Sequence, residues 1–183
     1  AVLTATDLDL GVRYRVSGMT VEKPGKAILP TSEMISILRE LSDETVQLET
    51  SDSGIRVIAS ASRFELASED PLEFPEVPDF ADEPGWKIKS SIFSTMIRRT
   101  IFAVAQENSR YALNSVLIEF PEEGKAQLVS SDGKRLALMP GATTRSGAAP
   151  AGLTLVPPKA LALVQKTLVD PDEELEILRS EEH

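Results

Sequence analysis

The sequence predicts an α+β fold made of repeated β-α-β-β-β units, with the helices on one face of antiparallel sheets. Three observations carry this. The order strand, helix, strand, strand, strand occurs at 26–67, again at 86–139, and begins a third time at 153–178. A longer repeat overlies it. Leu3-Thr4-Ala5-Thr6-Asp7 matches Leu128-Val129-Ser130-Ser131-Asp132, Leu29-Pro30 matches Val156-Pro157, and Val46-Gln47-Leu48 matches Leu175-Glu176-Ile177, at offsets of 125, 127 and 129. One ordered offset across three landmarks marks a duplicated structural unit. Finally, a single unit would expose the apolar face of its sheet. Two units can pack their helices together and continue their sheets, giving domains of roughly 125 residues.

The elements follow in order. Val2–Thr6 alternates as a strand, Asp7-Leu8-Asp9 turns, and 10–16 alternates again. Lys26–Leu29 reads as a short strand closed by Pro30. Thr31 or Ser32 can cap the next helix, over 31–41, whose Met34, Ile37, Leu38 and Leu41 recur at helical spacing. Strands at 45–49, 55–59 and 63–67 follow, the first two joined by Ser51-Asp52-Ser53-Gly54. Residues 68–85 combine four prolines with dense acidic charge, poor chemistry for helix or strand. Leu72, Phe74, Val77 and Phe80 are expected to pin this segment onto neighbouring surfaces. A boundary at about Asp82 then gives domains 1–82 and 83–183. The second domain opens with a strand at 86–89 and a helix over 91–105, with Phe93, Met96, Ile97, Ile101 and Val104 on its apolar side. Strands at 116–120, 126–130 and 135–139 come next, then a loop over 140–152 and a strand at 153–156. Pro157-Pro158 starts a helix, as proline is tolerated in a first turn. Pro171 ends it, and 174–178 is a last strand.

Composition narrows the chemistry. The chain has 183 residues and no Cys, so neither disulfides nor thiolate metal sites are available. Its only His is His183, the last residue, which reads as the stub of a purification tag. Most His-dependent catalysis and zinc chemistry are thereby excluded, and no cofactor is expected. No apolar run approaches the roughly 20 residues of a membrane span. No signal peptide is visible, so the cytoplasm is the expected compartment. A net charge of −10 opposes nucleic-acid binding, but the charge is uneven. The three helical windows carry Arg39, Arg98, Arg99, Lys159 and Lys166 against Glu33 and Glu40, a balance of +3 that leaves −13 elsewhere. Two readings fit: ordinary solvated helix surface, or a basic helical face on an acidic body.

The stretch 110–137 organises the rest. Val116, Ile118 and Phe120 alternate with Leu117 and Glu119, and Ala126, Leu128 and Ser130 with Gln127 and Val129. PEEG and SDGK are turn chemistry, with Gly124 and Gly133 able to take positive φ. Leu113, Ser131, Gly133, Lys134, Arg135 and Leu136 gather small, basic and apolar side chains at one sheet corner. That mixture suits a peptide-docking pocket; a plain hairpin turn at Asp132-Gly133 fits the local pattern too.

Five segments carry a resemblance: LTATDLDLGVRY at 3–14, ILPTSEMISILREL at 28–41, SRFELASEDPLEFPEVPDF at 62–80, RYALNSVLIE at 110–119 and LVSSDGKRLALM at 128–139. In these the chain resembles the bacterial processivity clamps, the beta subunits of DNA polymerase III. The resemblance runs the length of the chain. It implies the DNA-clamp fold and a non-catalytic sliding clamp, in which two three-domain protomers close head to tail around duplex DNA. Helices would line the hole and sheets form the outer wall. The implied partners are double-stranded DNA, held independently of sequence, the polymerase III alpha subunit, the clamp loader, and other polymerases and repair proteins. On this resemblance the chain holds the C-terminal part of a first clamp domain and most of the second. The third domain is absent, so the chain as given would not close a ring.

The resemblance also assigns roles. The partner-peptide pocket takes Leu113, Ser131, Gly133, Lys134, Arg135 and Leu136, with Arg110 bracing the strand entrance. Arg39 and Lys159 match basic inner-helix positions, and Tyr111 a DNA-facing aromatic; Arg98 and Arg99 join them by pattern alone. Ser131 stands where many members have Thr. Ala112 and Glu107 depart from a Tyr and a Gln, which weakens DNA contact by the loop at 106–112. Two other readings compete. Asp7 and Asp132 could be imagined as paired carboxylates of an enzyme, but repeated turn chemistry explains a repeated Asp. A repeat scaffold binding peptides without DNA is the alternative that the helix charge argues against.

Overall fold

The computed structural model describes residues 1–51, 54–79, 85–105, 111–145 and 153–178. The chain divides into two compact units, Ala1–Pro78 and Asp79–His183.

In the first unit, β1 (Val2–Thr6) and β2 (Gly11–Arg15) form an antiparallel ribbon. Helix α1 (Thr31–Glu40) follows, then a sheet of β3 (Gln47–Ser51), β4 (Gly54–Ile58) and β5 (Arg63–Leu66) in that order. Alternation divides the faces of β4. Ile55 and Val57 are buried with Met34 of α1, and Leu29, Ile37, Val46, Phe64 and Leu66 pack around them. On the other face Glu49, Arg56 and Glu65 lie directly opposite one another, and the Arg56 guanidinium bridges both carboxylates at 3.3 and 3.2 Å. Cross-strand charge pairs of this kind support register more than stability.

Three expectations change here. Residues 26–29 do not form a strand. Leu29 packs on the core, and the Ile28 carbonyl accepts the Ser68 hydroxyl at 2.8 Å instead of a ladder amide. Neither Thr31 nor Ser32 caps α1: the N-cap is Pro30, which has no side-chain donor or acceptor to offer. The acidic segment is pinned unevenly. Val77 packs on the ribbon, where a side chain at Gly11 would come within 2.7 Å of it, and its carbonyl accepts from Arg13 at 2.9 Å. Leu72 is 90% exposed, carried outward by a 3-10 turn (Pro71–Glu73) that Asp70 caps through the Leu72 amide. Phe80 and Asp82 lie outside the described residues.

The second unit has two sheets. One orders as β10-β6-β12, from β6 (Trp86–Lys89), β10 (Thr144–Arg145) and β12 (Glu174–Ile177). The other orders as β11-β7-β8-β9, from β7 (Val116–Glu122), β8 (Lys125–Ser131), β9 (Leu136–Ala142) and β11 (Leu153–Val156). Helix α2 (Ser90–Thr100) and helix α3 (Pro158–Thr167) share the core. Phe93, Met96, Ile97 and Leu161 are buried with Val116, Ile118, Ala126 and Leu128 of the four-stranded sheet. Continuation of the repeat is visible in the pairing: β11 adds to β7, and β12 adds to β6.

Helix α2 is shorter than its apolar pattern suggests. It stops at Thr100 and tightens into a 3-10 turn, Ile101–Ala103, while Val104 stays buried beyond it. The Thr100 carbonyl, one of the groups a helix end leaves unsatisfied, accepts the buried Ser130 hydroxyl at 2.5 Å. Strand β9 continues through Pro140 and Gly141, where a loop was expected. It is an edge strand, the place where a sheet tolerates proline. Gly141 is required there by close approach: a Cβ would meet Met96 Sδ at 2.3 Å and Ile92 Cγ2 at 2.9 Å.

Candidate partner-docking corner

The corner is the β8–β9 turn. Asp132 Oδ1 accepts from the amides of Lys134 and Arg135 at 2.9 and 3.0 Å, and Ser131 Oγ accepts from the Gly133 amide at 3.1 Å. Gly133 sits at φ +84°. The same turn stands 125 residues earlier. Asp7 Oδ1 accepts from the amides of Asp9 and Leu10 at 3.2 and 2.8 Å, Thr6 Oγ1 accepts from Leu8 at 3.0 Å, and Leu8 takes φ +75°. The two carboxylates suspected as a catalytic pair are therefore each engaged in holding their own turn. Hydrogen bonds from the Lys134 and Arg135 amides, with the Arg135 guanidinium alongside, hold the Asp132 carboxyl below its ordinary value near 3.8.

Ser131, Gly133, Lys134, Arg135 and Leu136 are thus brought together by one turn. Leu136 is 68% exposed. Leu113 is half-buried in the 3-10 turn (Tyr111–Asn114) that feeds β7, and its carbonyl accepts the Ala105 amide at 2.9 Å. Beyond Leu136, the face of the sheet turned away from the helices carries an apolar row beside the hydrogen-bonded Glu119–Gln127 pair. Leu155, Leu117, Val129 and Leu138 lie opposite one another in a row across all four strands. This row is invisible to local pattern reading, since it depends on register between strands up to 38 residues apart in sequence. The equivalent face of the β3-β4-β5 sheet carries Glu49, Arg56 and Glu65 instead.

Arg39, Arg98, Arg99, Lys159 and Lys166 are all exposed on their helices. Arg99 leans toward β9, with Nη1 3.9 Å from Met139 Sδ. Tyr111 lies in the 3-10 turn before β7, its side chain outside the described set, and Arg110 and Glu107 also lie outside it. Among the described residues no group of three or more His, Cys, Asp or Glu could hold a metal ion, and no helix is long and apolar enough to cross a membrane.

Two family models match the chain. Residues 1–78 match the N-terminal domain of the DNA polymerase III beta subunit, and residues 87–183 match its central domain. The chain belongs to the DNA polymerase III beta subunit family. Relatives agree with the family models. The beta sliding clamp of Chlamydia pneumoniae is 32% identical over 173 residues, covering 94% of this chain and 46% of the relative. That of Escherichia coli K12 is 29% identical over 178 residues, covering 96% and 47%. A crystal structure of the beta subunit from Pseudomonas aeruginosa superposes with a TM-score of 0.86 at 28% identity, over 97% of this chain and 48% of that one. This clamp-family chain spans about half the length of the curated relatives it matches.

Proposed function

We propose that the chain is part of a sliding clamp that encircles duplex DNA in the cytoplasm, tethers the replicative polymerase and docks partners through a linear-motif pocket. The observation that carries the reading is the division of the second unit. Its helices expose Arg98, Lys159 and Lys166, while the opposite sheet face exposes Leu136, Leu138 and Leu155 beside a hydrogen-bonded turn. A ring holds DNA by topology, so its inner face needs only weak phosphate contacts that ignore sequence. Arg39, Arg98, Arg99 and Lys159 supply such contacts in this reading, with Tyr111 beside them. Leu113, Ser131, Gly133, Lys134, Arg135 and Leu136 form this chain's share of the pocket. Polymerases, the clamp loader and repair proteins would compete for it. The full-length protein would close as a homodimer, with residues 1–82 and 83–183 contributing to its first and second domains. The work is positional, with no catalytic step.

The test is a primer-extension assay with the full-length protein and its polymerase. Leu136→Ala should shorten products by loss of polymerase docking while leaving the retention of rings already loaded on circular DNA intact. Paired reversal of Arg39 and Lys159 to Glu should lower retention itself. Full processivity in both variants contradicts the reading. No retention of the unmutated protein on circular DNA, with docking lost in Leu136→Ala, favours a peptide scaffold that does not meet DNA.

A further inference from the structure

Arg135 sits at the proposed docking corner, yet most of its guanidinium is already engaged. Nε donates to Asp132 Oδ2 at 2.9 Å, and Nη2 donates to the Phe102 carbonyl at 2.8 Å. The guanidinium carbon also lies 5.5 Å from the centre of the Phe102 ring. Three separate contacts thus define one orientation for a side chain that is still 56% exposed. Nη1 has no hydrogen bond to any described residue.

Phe102 is out of place by ordinary packing rules. It is 56% exposed, between Ile101, which packs on the core, and Ala103, which is fully buried. Its position is imposed from both sides. Ser130 holds the end of α2 through the Thr100 carbonyl, and the Ala105 amide is tied to the Leu113 carbonyl. The 3-10 turn between these ties carries Phe102 to Arg135. A large aromatic kept in solvent costs hydration free energy, and a guanidinium over its face recovers part of that.

We propose that Phe102 is a positioning residue of the docking corner: with Asp132 it holds the Arg135 guanidinium so that Nη1 donates to an oxygen acceptor on the docked peptide. The proposal rests on the reading of the corner as a peptide pocket. A flexible arginine loses rotamer freedom on binding, whereas one already clamped has little left to lose. Phe102 acts through Arg135 and needs no contact with the peptide.

The experiment measures affinity for a fluorescent peptide carrying the clamp-binding segment of a DNA polymerase III alpha subunit, using the full-length protein. Phe102→Leu keeps apolar volume and removes the π face; Phe102→Trp keeps the face. Leu136→Ala is the control for the corner. Phe102→Leu should weaken binding about two- to five-fold, the range expected for losing an exposed cation–π contact. Phe102→Trp should bind within about two-fold of the unmutated chain, by the same contact. Melting temperatures of both should match the parent, and the Arg135 Nε–H resonance should shift in Phe102→Leu alone, without peptide. Parent-like affinity in Phe102→Leu, with Leu136→Ala weakened, overturns the proposal and leaves the corner reading standing. No saturable binding by the unmutated full-length protein overturns the corner reading, and the proposal with it.

Discussion

At Asp132 one carboxylate receives three donors: two backbone amides on Oδ1 and the Arg135 Nε–H on Oδ2. All three favour the charged form, which is why its pKa lies below the ordinary value. The sign of the consequence follows from linkage. A carboxylate whose pKa is lower folded than unfolded stabilises the fold at pH values above about 4, and that contribution is lost as pH falls through the folded value. The amide resonances of Lys134 and Arg135 should therefore titrate together with a midpoint below 3.8. A midpoint at or above that value would show that the carboxylate does not hold the turn. Leu8 shows what the same turn demands of a residue with a side chain. It adopts φ +75° where the second copy has Gly133, and it is 81% exposed. Backbone geometry, not packing, is what the two copies share at that position.

The elements are set by contacts that their own sequences only partly announce. Among the described residues none of the three α-helices has a side-chain N-cap; their N-cap residues are Pro30, Lys89 and Pro157. They are held by burial of Met34, of Phe93, Met96 and Ile97, and of Leu161. That is the usual source of stability for short helices. The seam between α2 and β9 is close, because Gly141 lies against Met96 and Ile92. Gly141→Val should destabilise the second unit by about 1–3 kcal/mol, the cost of forcing methyl groups into a filled core. Urea unfolding followed by the fluorescence of the single Trp86, which is buried and stacked on Phe120, would report it. An unchanged midpoint would mean that β9 can move off the helix at little cost.

On the scale of the whole molecule, the two units differ in how much core each holds. Among the described residues, the first buries Met34, Ile55 and Val57 together, whereas the second buries ten in one cluster. Local opening follows buried apolar contact. Backbone amides of β3–β5 should therefore exchange with deuterium faster than those of β7 and β8, by at least about ten-fold, equivalent to ~1.4 kcal/mol of opening free energy. Equal protection in the two sheets would show that the units open as one. The units also differ on the faces their sheets turn away from the helices. A charged ladder in the first and an apolar row in the second give one repeat two surface chemistries, and the proposed docking corner lies on the second.

Much of this architecture was legible in the residues. Val116 to Phe120 and Ala126 to Ser130 alternate, Asp132-Gly133 is turn chemistry, and the offset of 125 residues between Thr6-Asp7 and Ser131-Asp132 reappears as the same hydrogen bonds. These signals are local: side-chain period and turn geometry depend on residues a few positions apart. The residues proposed for docking, from Ser131 to Leu136, are neighbours in sequence for the same reason, since one turn holds them. What only the tertiary structure decided is non-local. Residues 26–29 have strand composition but form no ladder, and Leu72 is apolar but has no surface to cover it. Pro140 and Gly141 look like a loop, yet continue an edge strand because they pair with Gln127 and Ala126 of β8 while α2 packs against Gly141. Phe102 and the row from Leu155 to Leu138 belong to the same class. A strand needs a partner and an apolar side chain needs a cover. Both are supplied by segments distant in sequence, so the pairing exists only once the chain has folded.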